Sequence, residues 1–333
     1  MASDSTLKAK LRPQVSKTWR PALVVVNCSA GTDNKESVPE ELARLFRERD
    51  FPVTILVISP DVDLRKAIRD EVKAGCQLVV AGGGDGTINA VAEHVRGCSA
   101  TFGVLPLGTL NHFAKDLGVP TELDKAVDCI IHGVPKQVDA GQVNGRIFLN
   151  NSSMGLYPQL VRDREAQQVR GRGKWMAFTK SLITVLARYK YFRVHISVDG
   201  KEIVRATPLV FVGNNRYKLK GTDLGTRERL DEGVLSINIP HSIGRFGLIW
   251  LSLKALLGNV RQDASFDEYL TREFYIDTRS FRRPWWMRRG KRMQNVAVDG
   301  EVVLLEKPLQ YQSLPKALNV LVPADTLASP SRS

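Results

Sequence analysis

The distribution of hydrophobic positions divides the chain into two halves with different periodicities. Up to about residue 140, short apolar runs alternate with segments whose apolar residues recur at helical spacing. This pattern predicts strands at 22–26, 53–58 and 77–81, and helices at 40–49, 64–74 and 88–95. Strands that alternate with helices favour a parallel sheet with both of its faces covered.

After about residue 140, apolar and polar residues alternate within segments that are separated by turn residues. Asp199-Gly200 and Asp299-Gly300 each stand between two such segments, which is typical of β-hairpins. The second half is therefore predicted to be mostly antiparallel, with strands at 192–198, 202–212, 234–239, 274–277, 296–298 and 301–305. Two further segments are predicted as helical inserts, 173–189 and 243–257.

The length of the chain agrees with this division, since 333 residues suffice for two domains that each bury a core. The predicted organisation is a flexible basic N-terminus (1–20), a Rossmann-like parallel α/β domain (21–140), a mostly antiparallel β-sandwich-like domain (141–323) and a tail (324–333). Packing of the C-terminal segment back onto the first domain is an open alternative. The apolar stretch 243–257 is interrupted by Arg245 and Lys254, so no segment is expected to span a membrane.

The formal charge of +13 and the pI of about 9.7 indicate that the protein has an anionic partner. Nucleic acid, an anionic membrane surface and a phosphorylated substrate all meet this condition, and charge alone does not distinguish them. The four cysteines form no CxxC pair and have no metal-ligand spacing. No apolar run of the kind found in signal peptides precedes residue 21, so we expect an intracellular protein with reduced thiols.

The clearest chemical motif is a glycine-rich segment between a predicted strand and a predicted helix, Gly82-Gly83-Gly84-Asp85-Gly86-Thr87-Ile88-Asn89. Glycines let backbone N–H groups approach an anion closely, and the N-terminus of a helix adds a positive dipole end. The segment matches neither the dinucleotide fingerprint nor the Walker loop. It predicts a phosphate-binding loop, with a β-to-α turn that binds no ligand as the alternative.

A second segment repeats the same arrangement of strand, tight turn and helix start, Leu105-Pro106-Leu107-Gly108-Thr109-Leu110-Asn111-His112-Phe113-Ala114. Taken alone, it is explained equally well as the capped start of a helix. Two such turns in neighbouring strand–helix units open at the same carboxyl edge of a parallel sheet, where α/β folds bind their ligands. The two segments together therefore predict one nucleotide site.

These segments belong to an ordered set of four motifs, the other two being Val138-Asp139-x-Gly141 with Phe148-x-Asn150, and Asp299-Gly300-Glu301. The set resembles the diacylglycerol kinase catalytic-domain family, in particular its soluble bacterial lipid-kinase branch, over about residues 21–323. The resemblance implies that the γ-phosphoryl group of ATP is transferred, with Mg²⁺, to a lipid hydroxyl. Diacylglycerol, which would give phosphatidic acid, is the expected acceptor.

The resemblance also implies roles for individual residues. Glu301 is the expected general base, although its turn is also that of a plain hairpin, and Asp85 and Asp139 are expected to organise the catalytic Mg²⁺. A second, structural Mg²⁺ site would use Glu232 with Arg229 and Val234, but the longer side chain of Glu232 suits Mg²⁺ poorly. The residues expected to bind the nucleotide are Ser59, Gly83, Gly84, Asp85, Gly86, Thr87, Ile88, Asn89, Ala90, Gly108, Thr109 and Asn111.

Much of the surplus of basic over acidic residues lies outside these motifs, including the segment 279–293, which has seven basic residues, no acidic ones and two adjacent tryptophans. Tryptophans among basic residues are typical of a membrane interface, and a solvated hairpin with its aromatic side chains packed inward is the alternative. The residues predicted to contact the membrane are Arg282, Arg283, Trp285, Trp286, Arg288 and Arg289.

The leading hypothesis is therefore a cytoplasmic lipid kinase that is peripherally associated with the inner face of the membrane. A kinase of another acceptor, such as a sphingoid base, ceramide, monoacylglycerol or NAD, is the enzymatic alternative. A basic nucleic-acid-binding protein is the alternative that is not an enzyme, but it leaves the four ordered motifs unexplained. Nucleic acid is not expected as a partner, and a homodimer is left open.

Overall fold

The structure is a computed structural model, and it describes residues 21–28, 38–155, 192–198, 200–217, 227, 229–240, 266–279 and 293–327. Within these ranges the chain forms sixteen strands in two sheets, five α-helices and one short 3₁₀ helix, 324–327. An N-terminal parallel α/β unit is followed by an antiparallel β-sandwich, which confirms the predicted fold class. None of the helices in the described ranges is both long and apolar enough to cross a bilayer.

The N-terminal unit contains four parallel strands in the order β2-β1-β3-β4. The strands are β1 (Ala22–Val26), β2 (Val53–Val57), β3 (Leu78–Gly83) and β4 (Thr101–Pro106). The helices are α1 (Val38–Glu48), α2 (Leu64–Lys73), α3 (Asp85–Val95), α4 (His112–Asp116) and α5 (Leu123–His132). Every residue of β1 and β3 is buried, as expected for central strands of a covered parallel sheet.

The remaining strands build the second half of the molecule. They are β5 (Val134–Val143), β6 (Arg146–Phe148), β7 (Asn151–Gly155), β8 (Phe192–Val198), β9 (Lys201–Thr207), β10 (Leu209–Asn214), β11 (Leu235–Pro240), β12 (Phe266–Thr271), β13 (Glu273–Arg279), β14 (Met293–Val298), β15 (Glu301–Glu306) and β16 (Leu309–Val322). Six of them form an antiparallel sheet in the order β12-β11-β10-β7-β14-β15. The predicted strand 202–212 is two strands, because Pro208 has no N–H with which to continue the ladder.

The last strand, β16, joins the two halves. It pairs antiparallel with β5 and with β13, and at Val320 it pairs parallel with Phe102 of β4, so that a ten-stranded sheet runs through both units. The pairing register shifts between Leu314 and Leu318, where Lys316 has a φ of 53°. The predicted domain boundary between residues 140 and 141 lies inside β5.

Two hydrophobic cores follow from this arrangement. The first lies on the parallel strands and includes Leu318, Val320 and Val322 from the end of β16. The second lies between the two sheets of the sandwich, where the rings of Phe274 and Tyr311 stack with their centroids 4.8 Å apart. The predicted helical inserts at 173–189 and 243–257, and the basic segment after residue 279, lie outside the described residues.

Candidate active site

The two glycine-containing turns meet at the carboxyl edge of the parallel sheet, as their positions after β3 and β4 predict. The N–H of Leu107 donates to the carbonyl oxygen of Gly83 at 3.1 Å. A Cβ on Gly108 would lie only 2.5 Å from the Cα of Gly84, well inside the normal carbon–carbon contact distance of about 3.5 Å. Glycine at position 108 therefore allows the two backbones to touch.

Helix α3 begins directly at the first of these turns, with Gly84 as its N-cap. The N–H of Ile88 donates to the carbonyl oxygen of Gly84 at 3.0 Å, so the N–H groups of residues 84–87 have no acceptor within the helix. Such N–H groups, together with the helix dipole, favour bound anions. Thr87 is buried there, and its hydroxyl accepts a hydrogen bond from Asn27 Nδ2 at 3.0 Å.

Asn111 maintains the shape of the second turn. Its Oδ1 accepts from the N–H of Gly108 at 3.0 Å, and its Nδ2 donates to the carbonyl oxygens of Pro106 and Gly108 at 3.2 and 2.7 Å. The residue is buried and has a left-handed backbone, a conformation that asparagine adopts more readily than most residues. The amide of Asn111 is thus occupied within its own turn.

Asp85 connects the two turns to the second half of the molecule. Its carboxylate accepts from the N–H groups of His112 and Phe113, both at 3.2 Å, at the start of α4. Its Oδ1 also accepts from Asn150 Nδ2 at 3.4 Å. Three donors thus hold one carboxylate, and they fix its position at the mouth of the glycine-rich turn.

Glu301 lies directly against the start of α3. A Cβ on Gly86 would be 2.9 Å from Glu301 Oε1, so glycine at this position lets the carboxylate lie close to the helix backbone. Glu301 Oε2 lies 3.8 Å from an Nη of Arg146, and both side chains are substantially exposed. Arg146 follows a turn that Asn144 ties to the C-terminal strands, donating to the carbonyl oxygen of Glu306 and accepting from the N–H of Gln310.

Asp299, two residues before Glu301, fixes the turn that presents the glutamate. Its carboxylate accepts from the N–H groups of Leu149, Asn150 and Asn151 at 2.7–2.9 Å. Burial raises the pKa of Asp299 to about 6, although these three N–H groups act to lower it. Asp299 therefore holds the hairpin turn onto the segment between β6 and β7.

The raised pKa of Asp299 makes a prediction for stability. Between pH 4 and 7 the folded state binds a proton that the unfolded state has already released, so this group makes unfolding easier as the pH rises. We expect the unfolding free energy of the wild type, relative to Asp299→Asn, to fall over this range by about 1–3 kcal/mol. Urea unfolding of both proteins at several pH values measures this. A free energy of unfolding of the wild type that rises with pH relative to that of Asp299→Asn would contradict the raised pKa.

Asp139 lies in a different environment. It is buried, and its two carboxylate oxygens accept from the N–H of Gly233 at 2.6 Å and of Lys316 at 2.8 Å. Its own N–H donates to the carbonyl oxygen of Leu230 at 2.7 Å. Asp139 thus holds both the 230–233 turn and the register shift of β16, and in the described part of the chain it shares no hydrogen-bond partner with Asp85.

The residues expected to form the structural Mg²⁺ site lie on this same turn. Glu232 is exposed and accepts from the N–H of Arg216 at 3.3 Å, and Arg229 pairs with Asp231 at 3.1 Å. Asp139 already closes the turn through hydrogen bonds. The described residues contain no group of three or more histidine, cysteine or acidic side chains placed to hold a metal ion.

The other predicted nucleotide contacts fall into two groups. Ser59 after β2, Ala90 within α3 and Thr109 in the second turn are all exposed. By contrast, Ile88 is fully buried and its N–H is already bonded, and Asn89 is buried with its Nδ2 donating to the carbonyl oxygen of Ile147 at 3.2 Å. Ile88 therefore offers the nucleotide no free polar group, and we leave it out of the proposed contacts. The predicted membrane-contact residues lie outside the described residues.

Several residues of the site were not predicted in the roles that they have. Asn27 follows β1 and Arg146 follows a hairpin turn, and neither belongs to the four motifs. Arg227 contacts both Asn150 and Asp116. Asn150 belonged to one of the four motifs. Its position directly before the short strand β7 is the sequence feature that could have indicated a role in the site.

The fold is shared with a solved structure, and two family models give the class of protein. A solved structure described as a diacylglycerol kinase from Bacillus anthracis superposes with a TM-score of 0.66 over 93% of this chain and 99% of the other, at 23% identity. Residues 21–143 match the diacylglycerol kinase catalytic domain, and residues 159–322 match the "YegS C-terminal NAD kinase beta sandwich-like domain". The class is that of two-domain kinases of the diacylglycerol kinase type.

Relatives define the family more closely. A Pseudomonas syringae protein named "Probable lipid kinase YegS-like" is 30% identical over 79% of this chain and 82% of its own length. A protein named "Diacylglycerol kinase" from Bacillus subtilis is 27% identical over 71% of this chain and 79% of its own. The chain belongs to the YegS-like lipid kinases of the diacylglycerol kinase family, and it is an ATP-dependent kinase with a hydroxyl acceptor.

Proposed function

We propose that this lipid kinase transfers the γ-phosphoryl group of ATP, with Mg²⁺, to the hydroxyl of diacylglycerol at a membrane surface. The observation that carries the proposal is the contact between the Glu301 carboxylate and Gly86, because it puts a proton acceptor beside a helix end suited to phosphate. The Bacillus subtilis relative that bears the name diacylglycerol kinase supports the choice of acceptor.

In this proposal the chain contributes positioning and charge. The N–H groups at the start of α3 hold the phosphates of ATP. The acceptor oxygen bonds to the γ-phosphorus as the bond to the β–γ bridging oxygen breaks and ADP leaves, and Glu301 accepts the proton that the hydroxyl loses. Arg146, 3.8 Å from Glu301, adds a positive charge where the transferred group carries its negative charge. Such an arrangement needs little covalent chemistry from the protein, because orientation and charge neutralisation carry most of the catalysis.

The oxygen ligands at this site suit a Mg²⁺ ion that binds together with ATP better than an ion coordinated by protein side chains alone. Mg²⁺ in kinases binds through one or two carboxylates together with substrate phosphates and water. Asp85 accepts three hydrogen bonds, so one of its roughly four lone pairs stays available. Asp85 would hold the ion, which would neutralise phosphate charge. Metal roles for Asp139 and for the Glu232 turn stay predictions from the family resemblance.

A panel of acceptors tests the proposal. Purified protein is given radiolabelled ATP and Mg²⁺ with mixed micelles of diacylglycerol, monoacylglycerol, ceramide or a sphingoid base, and separately with NAD. NAD is included because the second matched domain is described as similar to an NAD kinase sandwich. We expect phosphatidic acid to be the main product. Exclusive labelling of NAD, or of a lipid other than diacylglycerol, would overturn the proposed acceptor.

Action at the membrane inner face is part of the same proposal, and it makes a prediction for the segment 279–293. Replacing Trp285 and Trp286 with Ala is expected to weaken binding to vesicles containing anionic lipid by about tenfold or more, since burying one large apolar side chain contributes about 1.5–3 kcal/mol. Sedimentation with vesicles measures this, with Trp19→Ala as the matched control and ATP affinity expected to be unchanged. Equal sedimentation of all three proteins would refute it.

Parallel binding assays with anionic vesicles and with nucleic acid separate the two candidate partners of the basic segment 279–293, because binding to either one is salt-dependent. Binding to anionic vesicles is expected to weaken as salt is added, because attraction between exposed charges is screened. Comparable binding to duplex or single-stranded nucleic acid would contradict the proposal.

The oligomeric state is a separate question. Light scattering on the same preparation decides between monomer and homodimer.

A further inference from the structure

A continuous set of buried polar side chains links the second half of the molecule to the glycine-rich turn. Its centre is Arg227, whose side chain is fully buried beside Asp116, itself 5% exposed. A buried ion pair of this kind contributes little net stability, because removing two charges from water costs about as much as their attraction returns. A role other than stability therefore has to be considered for it.

The guanidinium of Arg227 is held from several sides. Its Nε donates to Asp116 Oδ2 at 2.8 Å, one Nη donates to the carbonyl oxygens of Leu149 and Asn214, and the other donates to Asn150 Oδ1 at 2.9 Å. The ring of Tyr217 lies 5.5 Å from the guanidinium carbon. A planar group with this many partners has one orientation, and Lys could not reproduce it.

The polarity of these contacts determines how the Asn150 amide is oriented. Arginine only donates hydrogen bonds, so the amide oxygen of Asn150 must face Arg227. Its Nδ2 then faces Asp85 Oδ1 at 3.4 Å, and an ionised carboxylate only accepts. Arg227 thus donates both to Asp116 and to Asn150, and Asn150 in turn donates to Asp85, so the donor of each hydrogen bond is fixed.

Asn150 also contacts the other side of the site. Its backbone N–H donates to Asp299 Oδ1 at 2.9 Å, and its carbonyl oxygen accepts from the Tyr217 hydroxyl at 2.9 Å. One residue therefore touches both Asp85, beside the phosphate-binding turn, and Asp299, which fixes the turn carrying Glu301. The position of Asn150 therefore affects the distance between the phosphate-binding turn at Asp85 and the carboxylate of Glu301.

We propose that Asn150 is a positioning residue for phosphoryl transfer and that Arg227 fixes the direction of its amide. The inference rests on the proposed function, and it adds that residues of the second half set the position of Asp85 relative to Glu301. Because a displacement of about 1 Å at a reacting centre can lower a rate by about a hundredfold, the effect belongs in kcat.

The first test is Asn150→Asp, which preserves the shape of the side chain. The variant still presents an oxygen to Arg227, but it replaces the donor facing Asp85 with a second acceptor. We expect kcat to fall by at least about tenfold, while KM for the lipid acceptor changes less than about threefold. The matched control is Asn238→Asp. Asn238 is also buried, but its Nδ2 donates to the carbonyl oxygen of Ser236, and this variant is expected to retain the wild-type kcat. A kcat for Asn150→Asp equal to that of the control would overturn the proposal.

The second test measures stability and needs no turnover. Combining Asn150→Asp with Asp85→Asn replaces two facing carboxylates with an amide and a carboxylate, so the amide at position 85 donates to position 150, although the N–H of Phe113 loses its acceptor. The unfolding midpoint of the double variant is expected to lie above that of Asn150→Asp alone. A midpoint at or below that of the single variant would contradict the contact.

Arg227→Lys tests the origin of the orientation. It retains a positive charge beside Asp116 but loses the planar fork, so we expect a folded protein whose kcat is reduced without a matching rise in KM for the lipid. Wild-type kcat in this variant would remove Arg227 from the proposal. If the wild type itself phosphorylates no lipid, the proposed function fails, whereas the unfolding comparison still decides the role of Asn150.

Discussion

Replacing Glu301 with Gln is expected to lower kcat for lipid phosphorylation by about 10²–10⁴-fold, the usual contribution of a general base. The amide retains the size of the side chain against Gly86 but cannot accept the hydroxyl proton. Because Glu301 is 60% exposed and contacts Arg146 only at 3.8 Å, the thermal midpoint is expected to stay within a few degrees of the wild type. Steady-state kinetics with saturating MgATP measure the change.

The control for this prediction lies at the other end of the same strand. Glu306→Gln removes an identical charge from an exposed position of β15, and it should leave kcat unaltered. Affinity for a non-hydrolysable ATP analogue is expected to be similar in wild type, Glu301→Gln and Glu306→Gln. If Glu301→Gln were as active as Glu306→Gln, another group would have to accept the proton.

Replacing Gly108 with Ala is expected to damage both stability and nucleotide binding. The new Cβ would lie 2.5 Å from the Cα and 3.2 Å from the N of Gly84, and 2.9 Å from Asn111 Oδ1. Since the nearest obstacle is backbone, relief requires the two turns to separate. Overpacking of this kind costs about 1–3 kcal/mol, and the phosphate-binding geometry should be lost with it. Calorimetric titration with ATP is expected to show at least about tenfold weaker binding.

Gly84→Ala is the matched control, because it adds the same methyl group on the other side of the same contact. Its Cβ would lie 3.6 Å from the Cα of Gly108, an ordinary contact distance, and the φ of Gly84 is −83°, which alanine adopts without strain. The unfolding midpoint of Gly84→Ala is therefore expected to stay near that of the wild type. Equal midpoints for the two alanine variants would show that the turns are not in contact.

The predictable parts of the fold are those recorded in local patterns. Strands β1 and β3 are continuous apolar runs, and α3 carries buried Ile88, Val91, Ala92 and Val95 at helical spacing, so their positions follow from neighbouring residues. Strand β16 was not predicted, since Pro315 and Lys316 interrupt its alternation and its partners β4 and β5 are far away along the chain. Pairing between distant segments leaves no periodic signal in either of them.

In the candidate site, too, local motifs predict some residues, whereas others depend on contacts between distant parts of the chain. The glycine turns and Glu301 were predicted from short motifs together with the family resemblance, and the structure brings them into contact. The role of Asp299 depends on N–H groups about 150 residues away in the chain, and that of Arg227 on Asp116 and Asn150. A motif names residue types at fixed spacing, whereas a hydrogen bond across the fold requires the coordinates of both partners.

The path of β16 has a consequence for how the protein is made. Its residues Leu318, Val320 and Val322 complete the core of the first unit and cover the β4 side of the parallel sheet, yet they are translated about 200 residues after β4. A nascent chain that has released only the nucleotide-binding half must leave that sheet edge and its apolar side chains open to solvent. The parallel sheet of the first unit therefore reaches its final form only after β16 has been made, so that the first unit and the antiparallel second half are completed together.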